Sequence, residues 1–393
     1  MKIVITGYTY TRENLFDVFE SYPEKDNLFF ILPGNWTAKN GTVQFPPFRR
    51  TGFAIWNSPA YFTHSQYPFI GGLMKGWMPF LSIRLGWLRL TQHVDILFTA
   101  GEPNLVSTLY NALWAKFFGM KHIFLYWENI PYEAKDKGLK MKLKKTLIRW
   151  NLALSDGAIC GMHKAEDILK SFDTEIPVGT FLHAGFDEYR FRPGLPQTLR
   201  EELKWQYKTI FLFVGALGYR KGIHLALRAL AELSKTRDNL AMVIVGSGEY
   251  KAELEKLVGE LELESQVHFI PWIANAKLPE IYNSSDIFLY PSIPYEGWEE
   301  QFGYSIAEAS LCELPVISTD SGSIYEVLKN GETGYLIKPN DQSALMSAMA
   351  KLADDPDLRK SLGVRGRDFI VRNFSNKVIA QKLYKLFSEV AVR

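Results

Sequence analysis

Cysteine is nearly absent: 393 residues hold two, Cys160 and Cys312, far apart and each in an apolar context. That excludes a disulfide framework and a cysteine-based metal cluster. Two buried free thiols suit a reducing compartment. The seven histidines show no ligand spacing, so no metal requirement is expected. No stretch approaches the roughly 18 uninterrupted apolar residues of a spanning helix. The apolar run at Ile3-Val4-Ile5 is too short for a signal peptide, so no leader is expected. Charge of one sign is also lacking. With 45 Lys and Arg against 43 Asp and Glu, the net charge of +2 gives no reason to expect a nucleic-acid partner. Solenoid-period repeats and low-complexity tracts are missing too.

What is present is an ordinary soluble composition, 47% apolar and 22% charged, with a somewhat rich 14% of aromatics. The length allows two domains with separate cores. Charge is uneven: residues 1–192 carry 22 cations against 17 anions, and the remainder is net acidic. Much of the basic excess lies in one segment, Lys135 to Trp150.

The pattern along the chain is strand, loop, helix, repeated. Short apolar runs at 2–6, 28–32, 96–99, 122–126 and 157–160 read as strands, with a helix through Leu105–Phe118. The same grammar restarts with strands at 210–214, 241–245, 267–270, 287–290, 315–318 and 335–337. Alternation of this kind predicts doubly wound parallel sheets. Pro193, Gly194 and Pro196 punctuate the junction, so the domains are expected to be 1–194 and 195–375. Two such domains in tandem are expected to hold a ligand in a cleft between their strand ends.

Three segments carry candidate chemistry. Glu300 precedes, and Glu308 lies about one turn inside, a helix predicted to start near Gly303-Tyr304-Ser305. Amides at such a start lack helical partners and attract anions. Two carboxylates flanking an anion site suit a nucleotide sugar; the spacing equally fits a capping carboxylate and a solvated helix-face glutamate. Val214-Gly215-Ala216-Leu217-Gly218-Tyr219-Arg220-Lys221-Gly222 places a glycine loop and two cations before a helix, which suits a diphosphate. An exposed Arg-Lys pair fits as well. Gly246-Ser247-Gly248-Glu249 is a permissive strand-to-helix turn.

Taken in order, Val214–Gly222, Val243–Glu249, Phe269–Asp286, Pro291–Thr319 and Gly322–Leu336 resemble the retaining, nucleotide-sugar-dependent glycosyltransferases of family 4, which have the GT-B fold. Gly322, Glu326, Val327, Asn330, Gly331, Gly334 and Leu336 fall in register with the family pattern, and Gly185-Phe186-Asp187 looks like its lead-in to the second domain. The resemblance is specific over about 180–340 and weaker over 1–180. It implies two Rossmann-like domains, an acceptor domain and a donor domain, with a helix at about 376–393 packing back on the first. By resemblance Glu300 contacts the donor sugar, Glu308 the ribose hydroxyls, and Lys221 the leaving diphosphate. Gly303, Tyr304 and Ser305 would offer amides, Gly215 and Gly246 close backbone approach, and Trp272 and Ile273 would flank the base. No metal is implied, and a UDP-sugar is favoured over a GDP-sugar.

Two departures matter. Ala216 stands where many members have arginine, leaving Arg220 to supply the second positive charge. Tyr126-Trp127-Glu128-Asn129 stands where many carry a histidine, so Glu128 or Asn129 is the candidate for the acceptor side. Basic and apolar residues alternate over 135–150, and Phe69–Leu90 adds Trp77, Phe80, Trp87 and Leu88. Both suit an anionic membrane surface, and both suit a solvated helix packed on ordinary core. The expected function is transfer of a sugar to a glycan or lipid-linked acceptor, in the cytoplasm or peripheral on the inner membrane face. A nucleotide-sugar epimerase and a non-catalytic nucleotide-sugar binder are the alternatives. The histidines, His64, His93, His163 and His183 among them, read as structural.

Overall fold

The computed structural model describes residues 1–36, 47–63, 70–135 and 137–393; His64, Phe69 and Asp136 lie outside the described residues. Among the described residues thirteen parallel strands form two sheets, eleven of them at the apolar runs, and the chain divides into two compact units: Met1–Gly185 with Asn376–Arg393, and Phe186–Ser375.

In the first unit the strands are β1 (Ile3–Thr6), β2 (Leu28–Pro33), β3 (Ala54–Ser58), β4 (Ile96–Thr99), β5 (Lys121–Tyr126), β6 (Gly157–Cys160) and β7 (Val178–Thr180). Their order is β3-β2-β1-β4-β5-β6-β7, reversing between β1 and β4. The inner strands are continuous apolar runs because both faces are covered. The unforeseen strands β3 and β7 lie at the sheet edges and are only partly buried, so neither has that run. The helix Asn376–Val392 belongs to this unit. It buries Ile379, Leu383, Leu386, Phe387 and Val390, and Tyr384 Oη donates to Glu24 at 2.8 Å.

The second unit holds β8 (Thr209–Val214), β9 (Leu240–Val245), β10 (Val267–Ile270), β11 (Ile287–Tyr290), β12 (Val316–Thr319) and β13 (Gly334–Ile337), in the order β10-β9-β8-β11-β12-β13. The chain enters it at Phe186, ahead of the Pro193-Gly194-Pro196 punctuation. Phe186 is captured early: its amide donates to the Phe374 carbonyl at 2.9 Å and its ring stacks on Phe302. Arg367 then holds the Glu188 and Phe191 carbonyls at 2.9 and 3.0 Å. Backbone and guanidinium bonds therefore fix a stretch that its prolines and glycine mark as a linker. Among the described residues no helix is long and apolar enough to cross a membrane.

Candidate active site

In an open parallel sheet, ligands bind beyond the carboxyl ends of the strands where the order reverses. In the second unit that point lies between β8 and β11. The loop after β8 carries Arg220 and Lys221; the loop after β11 carries Glu300.

Those loops meet at one carboxylate oxygen. Lys221 Nζ donates to Glu300 Oε2 at 2.5 Å and to Tyr290 Oη at 2.6 Å. Tyr290 Oη and Ser292 Oγ donate to the same Oε2 at 2.9 and 3.2 Å. Lys221 is 6% and Glu300 8% exposed, so this is a buried ion pair with added hydroxyl donors. Burial pushes the Lys221 ammonium below its usual range, while Glu300 pulls it back up. Burial, and then Glu300, push the Tyr290 phenol far above its range, so its proton stays on and it acts as a donor.

Two close approaches fix the geometry. Gly222 has φ +67°, and a Cβ there would stand 2.0 Å from the Pro291 carbonyl oxygen. Gly322 has φ +63°, and a Cβ there would stand 1.8 Å from the Glu300 carbonyl oxygen. Only glycine permits both the left-handed backbone and the contact. The Ile293 amide donates to the Arg220 carbonyl at 2.8 Å, and the Ser323 amide to the Glu300 carbonyl at 3.0 Å. Ser318 Oγ donates to the Tyr290 carbonyl at 2.6 Å.

Arg220 lies beside this pair. Its guanidinium sits 3.6 Å from the Trp298 ring centroid, and Lys221 Nζ is 5.0 Å from the same ring. Tyr295 and Trp298 close a tight antiparallel bridge that presents the indole. Arg220 Nη1 is enclosed and without a hydrogen-bond partner. A buried donor of that kind calls for an acceptor, and an anionic oxygen fits.

The other expected residues separate. Glu308 lies in the helix Tyr304–Leu311 and takes a 2.9 Å hydrogen bond from Tyr282 Oη. The residue is only partly buried, but its carboxyl is enclosed; burial pushes it up to about 7, against the Tyr282 bond and the Arg190 charge. Glu300 and Glu308 therefore have different partners and different environments. Gly303 is the left-handed residue that starts this helix, and Tyr304 and Ser305 form its first turn, whose amides have no acceptor inside the helix. Gly215 and Gly246 end β8 and β9 and extend the ladder, donating to the Val245 and Ile270 carbonyls at 3.0 and 2.9 Å. Trp272, 72% exposed, and Ile273 follow β10, with β9 between them and β8, whose following loop carries Lys221.

Glu128 belongs to the first unit. Its Oε1 accepts from Lys135 Nζ at 2.7 Å and from the Asn129 amide at 3.2 Å. Nearby is a carboxylate that the sequence reading passed over. Glu102 follows β4 at this unit's own reversal point, and its Oε1 accepts the Trp127 amide at 2.9 Å. Its Oε2 is enclosed and unpartnered, and burial, aided by the Glu128 charge, pushes the carboxyl up to about 8. The available signal was its place directly after a strand and a glycine. Trp298, Tyr290 and Ser292 were also missed as site residues: Trp298 and Tyr290 act through Arg220 and Lys221, distant in sequence, and Ser292 through the folded loop that carries Glu300. Of the histidines, His93 caps a helix in the left-handed conformation at φ +54°. His183 is buried, and burial pushes it down to about 4. Among the described residues no three His, Cys, Asp or Glu side chains gather as a metal site.

The basic segment is largely built into the fold. In the helix Gly138–Leu154, Leu147, Ile148 and Leu152 are buried and Met141 packs on the core, leaving Leu139 and Trp150 exposed. Lys135 pairs with Glu128 and Lys145 with Glu133, which neutralises two of the cations.

Residues 197–369 match the family described as Glycosyl transferases group 1. A D-inositol 3-phosphate glycosyltransferase of Corynebacterium jeikeium is 32% identical over 238 residues, 58% of this chain and 55% of that protein. A GDP-mannose-dependent alpha-(1-6)-phosphatidylinositol monomannoside mannosyltransferase of Mycolicibacterium smegmatis is 29% identical over 215 residues, 53% of this chain and 55% of that protein. The chain thus spans about half the length of the curated relatives it matches. Among solved structures, sucrose-phosphate synthase from Thermosynechococcus elongatus superposes over 100% of this chain and 99% of its own, with TM-score 0.76 and 18% identity. The Anabaena HepE protein in complex with UDP superposes over 99% of this chain and 100% of its own, with TM-score 0.72 and 17% identity. The fold is GT-B: two Rossmann-like domains, each built on a parallel sheet.

Proposed function

We propose that the protein is a retaining, metal-independent glycosyltransferase that moves a sugar from a nucleoside-diphosphate sugar to a glycan or lipid-linked acceptor. The observation that carries this reading is the buried Lys221–Glu300 pair at the reversal point, with Arg220 Nη1 enclosed beside it. The group 1 match over 197–369 includes these residues. The relatives described above act on inositol phosphate and phosphatidylinositol mannoside, by their names, which favours a phosphorylated or lipid-linked acceptor here.

The proposed chemistry follows from charge. Breaking the bond between the anomeric carbon and the phosphate oxygen leaves its electron pair on the diphosphate and positive charge on the carbon. The acceptor oxygen bonds to that carbon, and nucleoside diphosphate and a proton are released. Fixed cations aimed at the departing diphosphate lower the barrier. Lys221 and Arg220 are those cations, supported by the amides at the start of Tyr304–Leu311. A diphosphate competes with Glu300 for the Lys221 ammonium, and the released carboxylate is then free to take sugar hydroxyls. Glu308 binds the ribose, Trp272 and Ile273 flank the base, Gly215 and Gly246 let the backbone approach, and Glu128 serves the acceptor. With two protein cations at the phosphates, no metal is needed.

A UDP-sugar is the first candidate donor, and a thermal-shift panel of UDP-, GDP- and ADP-sugars on the purified chain decides the base. Transfer unaffected by EDTA, with the donor's anomeric configuration kept in the product by NMR, is the expected result. An inverted product or full dependence on a divalent ion refutes those two parts. Glu300→Ala is expected to abolish transfer; full activity in that variant sinks the site assignment. Peripheral membrane contact is proposed through the helix Leu81–Gln92, where Phe80, Ile83, Trp87 and Leu90 form an exposed stripe at helical spacing beside Arg84. Sedimentation with anionic vesicles tests it, and equal recovery in the supernatant with and without vesicles overturns it.

A further inference from the structure

A cavity of about 240 Å³ opens in the first unit, beside the short helix Ile70–Leu73, the residues following β4, and the helix Gly138–Leu154. Leu73, Leu105 and Leu143 form an apolar wall, and Lys140 and Lys144 stand with it. Lys140, Leu143 and Lys144 share one helix face by their spacing of three and four. Two of the helix's cations therefore stand beside the leucines, while Lys142, Lys145 and Arg149 fall on other faces.

Asn104 completes the lining. Its Nδ2 donates to Tyr132 Oη at 3.2 Å, while its Oδ1 is enclosed and without a partner. An orphaned acceptor in an enclosed place is costly unless a donor arrives. Lys144 Nζ lies 5.6 Å above the Tyr132 ring, so the same tyrosine positions both the amide and the ammonium.

We propose that this cavity seats a single-chain anionic amphiphile, with a phosphate head on Lys140 and Lys144 and its first methylenes against Leu73, Leu105 and Leu143. Each feature excludes a simpler occupant. A free inorganic anion gains nothing from three leucines, and a neutral lipid gains nothing from two ammonium groups. The volume matches about eight waters at liquid density, which fits a head group and a short run of methylenes. Asn104 Oδ1 takes a hydroxyl or a protonated phosphate oxygen. The inference rests on the glycosyltransferase reading for its purpose, since such a ligand is an acceptor or an acceptor's anchor. The binding itself is separable from that purpose.

The test is isothermal titration of the full chain with octyl phosphate below its micelle concentration, with inorganic phosphate and 1-octanol as parallel probes. Octyl phosphate is expected to bind saturably at one site, and each fragment about tenfold or more weaker. Lys140→Glu combined with Lys144→Glu is expected to weaken octyl phosphate about tenfold or more. Leu143→Gln weakens it without changing inorganic phosphate binding. The nucleotide-sugar thermal shift serves as the control, because it is expected to be unchanged in these variants. Octyl phosphate binding that ignores all three substitutions overturns the proposal, as does binding seen only with anionic vesicles. Intact octyl phosphate binding in a protein that transfers no sugar supports the seat and strikes the activity reading instead.

Discussion

Removing the Lys221 ammonium should cost more stability than removing it together with its partner. In Lys221→Met the Glu300 carboxylate stays where it is, 8% exposed, with Tyr290 and Ser292 still donating to it at 2.9 and 3.2 Å. Breaking one side of a buried pair costs about 3–5 kcal/mol. The hydroxyl donors that survive, Tyr290 and Ser292 among them, hold the estimate at the lower end, about 3 kcal/mol. Glu300→Leu leaves a buried amine instead. Its proton affinity is already depressed by burial, so it sheds the proton and the cost falls to about 2 kcal/mol. The double variant buries no charge and is expected to lose about 1 kcal/mol, less than either single change. At roughly 2–4 °C per kcal/mol for a unit of this size, Lys221→Met should melt about 6–12 °C lower and the double about 2–4 °C lower. Circular dichroism melts of the four proteins at pH 7 measure it. If the double variant loses the sum of the two singles, the groups are uncoupled and the buried pair does not organise the site.

Three further outcomes follow from single contacts. Glu308 is held up to about 7 against an ordinary 4.5, so its stabilising contribution is complete below pH 4.5 and is lost as pH rises through 7. Melting temperatures from pH 4.5 to 8 should therefore shift in favour of Glu308→Gln as pH rises, and parallel profiles would refute that account. Gly322→Ala meets the Glu300 carbonyl at 1.8 Å, whereas Gly331→Ala, at φ +75°, meets nothing within 4 Å. The second should cost about 1 kcal/mol of backbone strain and the first at least about 2, and equal denaturant midpoint shifts would remove the steric argument. Trp298→Ala removes the ring 3.6 Å from Arg220, worth about 1–2 kcal/mol when desolvated. Nucleoside-diphosphate affinity should fall several-fold and recover in Trp298→Phe, with calorimetric titration as the measure.

The second unit was legible nearly strand by strand, and the reason is periodicity. Its inner strands β8, β9, β11 and β12 are short buried apolar runs, and a strand covered on both faces has no other pattern to show; the partly buried edge strands β10 and β13 are short runs bounded by proline or glycine. The edge strands β3 and β7 of the first unit escaped for the opposite reason: half-buried and short, they carry no continuous run. The linker was misplaced because proline and glycine report local backbone preference, whereas Phe186 is held by Phe374, Phe302 and Ser375, more than a hundred residues away.

The candidate site divides along the same line. Motif spacing located Glu300, Glu308 and Lys221 on their loops and helix, but spacing along a chain says nothing about which side chains meet. Lys221 and Glu300, assigned to the diphosphate and the donor sugar, bond each other at 2.5 Å, because β8 and β11 are neighbours only after the sheet reverses. Glu300 and Glu308, eight residues apart, take different partners, because the helix carries Glu308 toward Tyr282. The basic segment shows the limit most plainly. Its alternation of Lys with Leu and Met suits a membrane face and a helix packed on core alike; in the fold Leu147 and Ile148 are core, Leu143 lines a cavity, and Lys135 and Lys145 are paired. An amphipathic pattern records that one side of a helix is apolar. What covers that side is decided by the tertiary fold, here by packing against the first unit's own core.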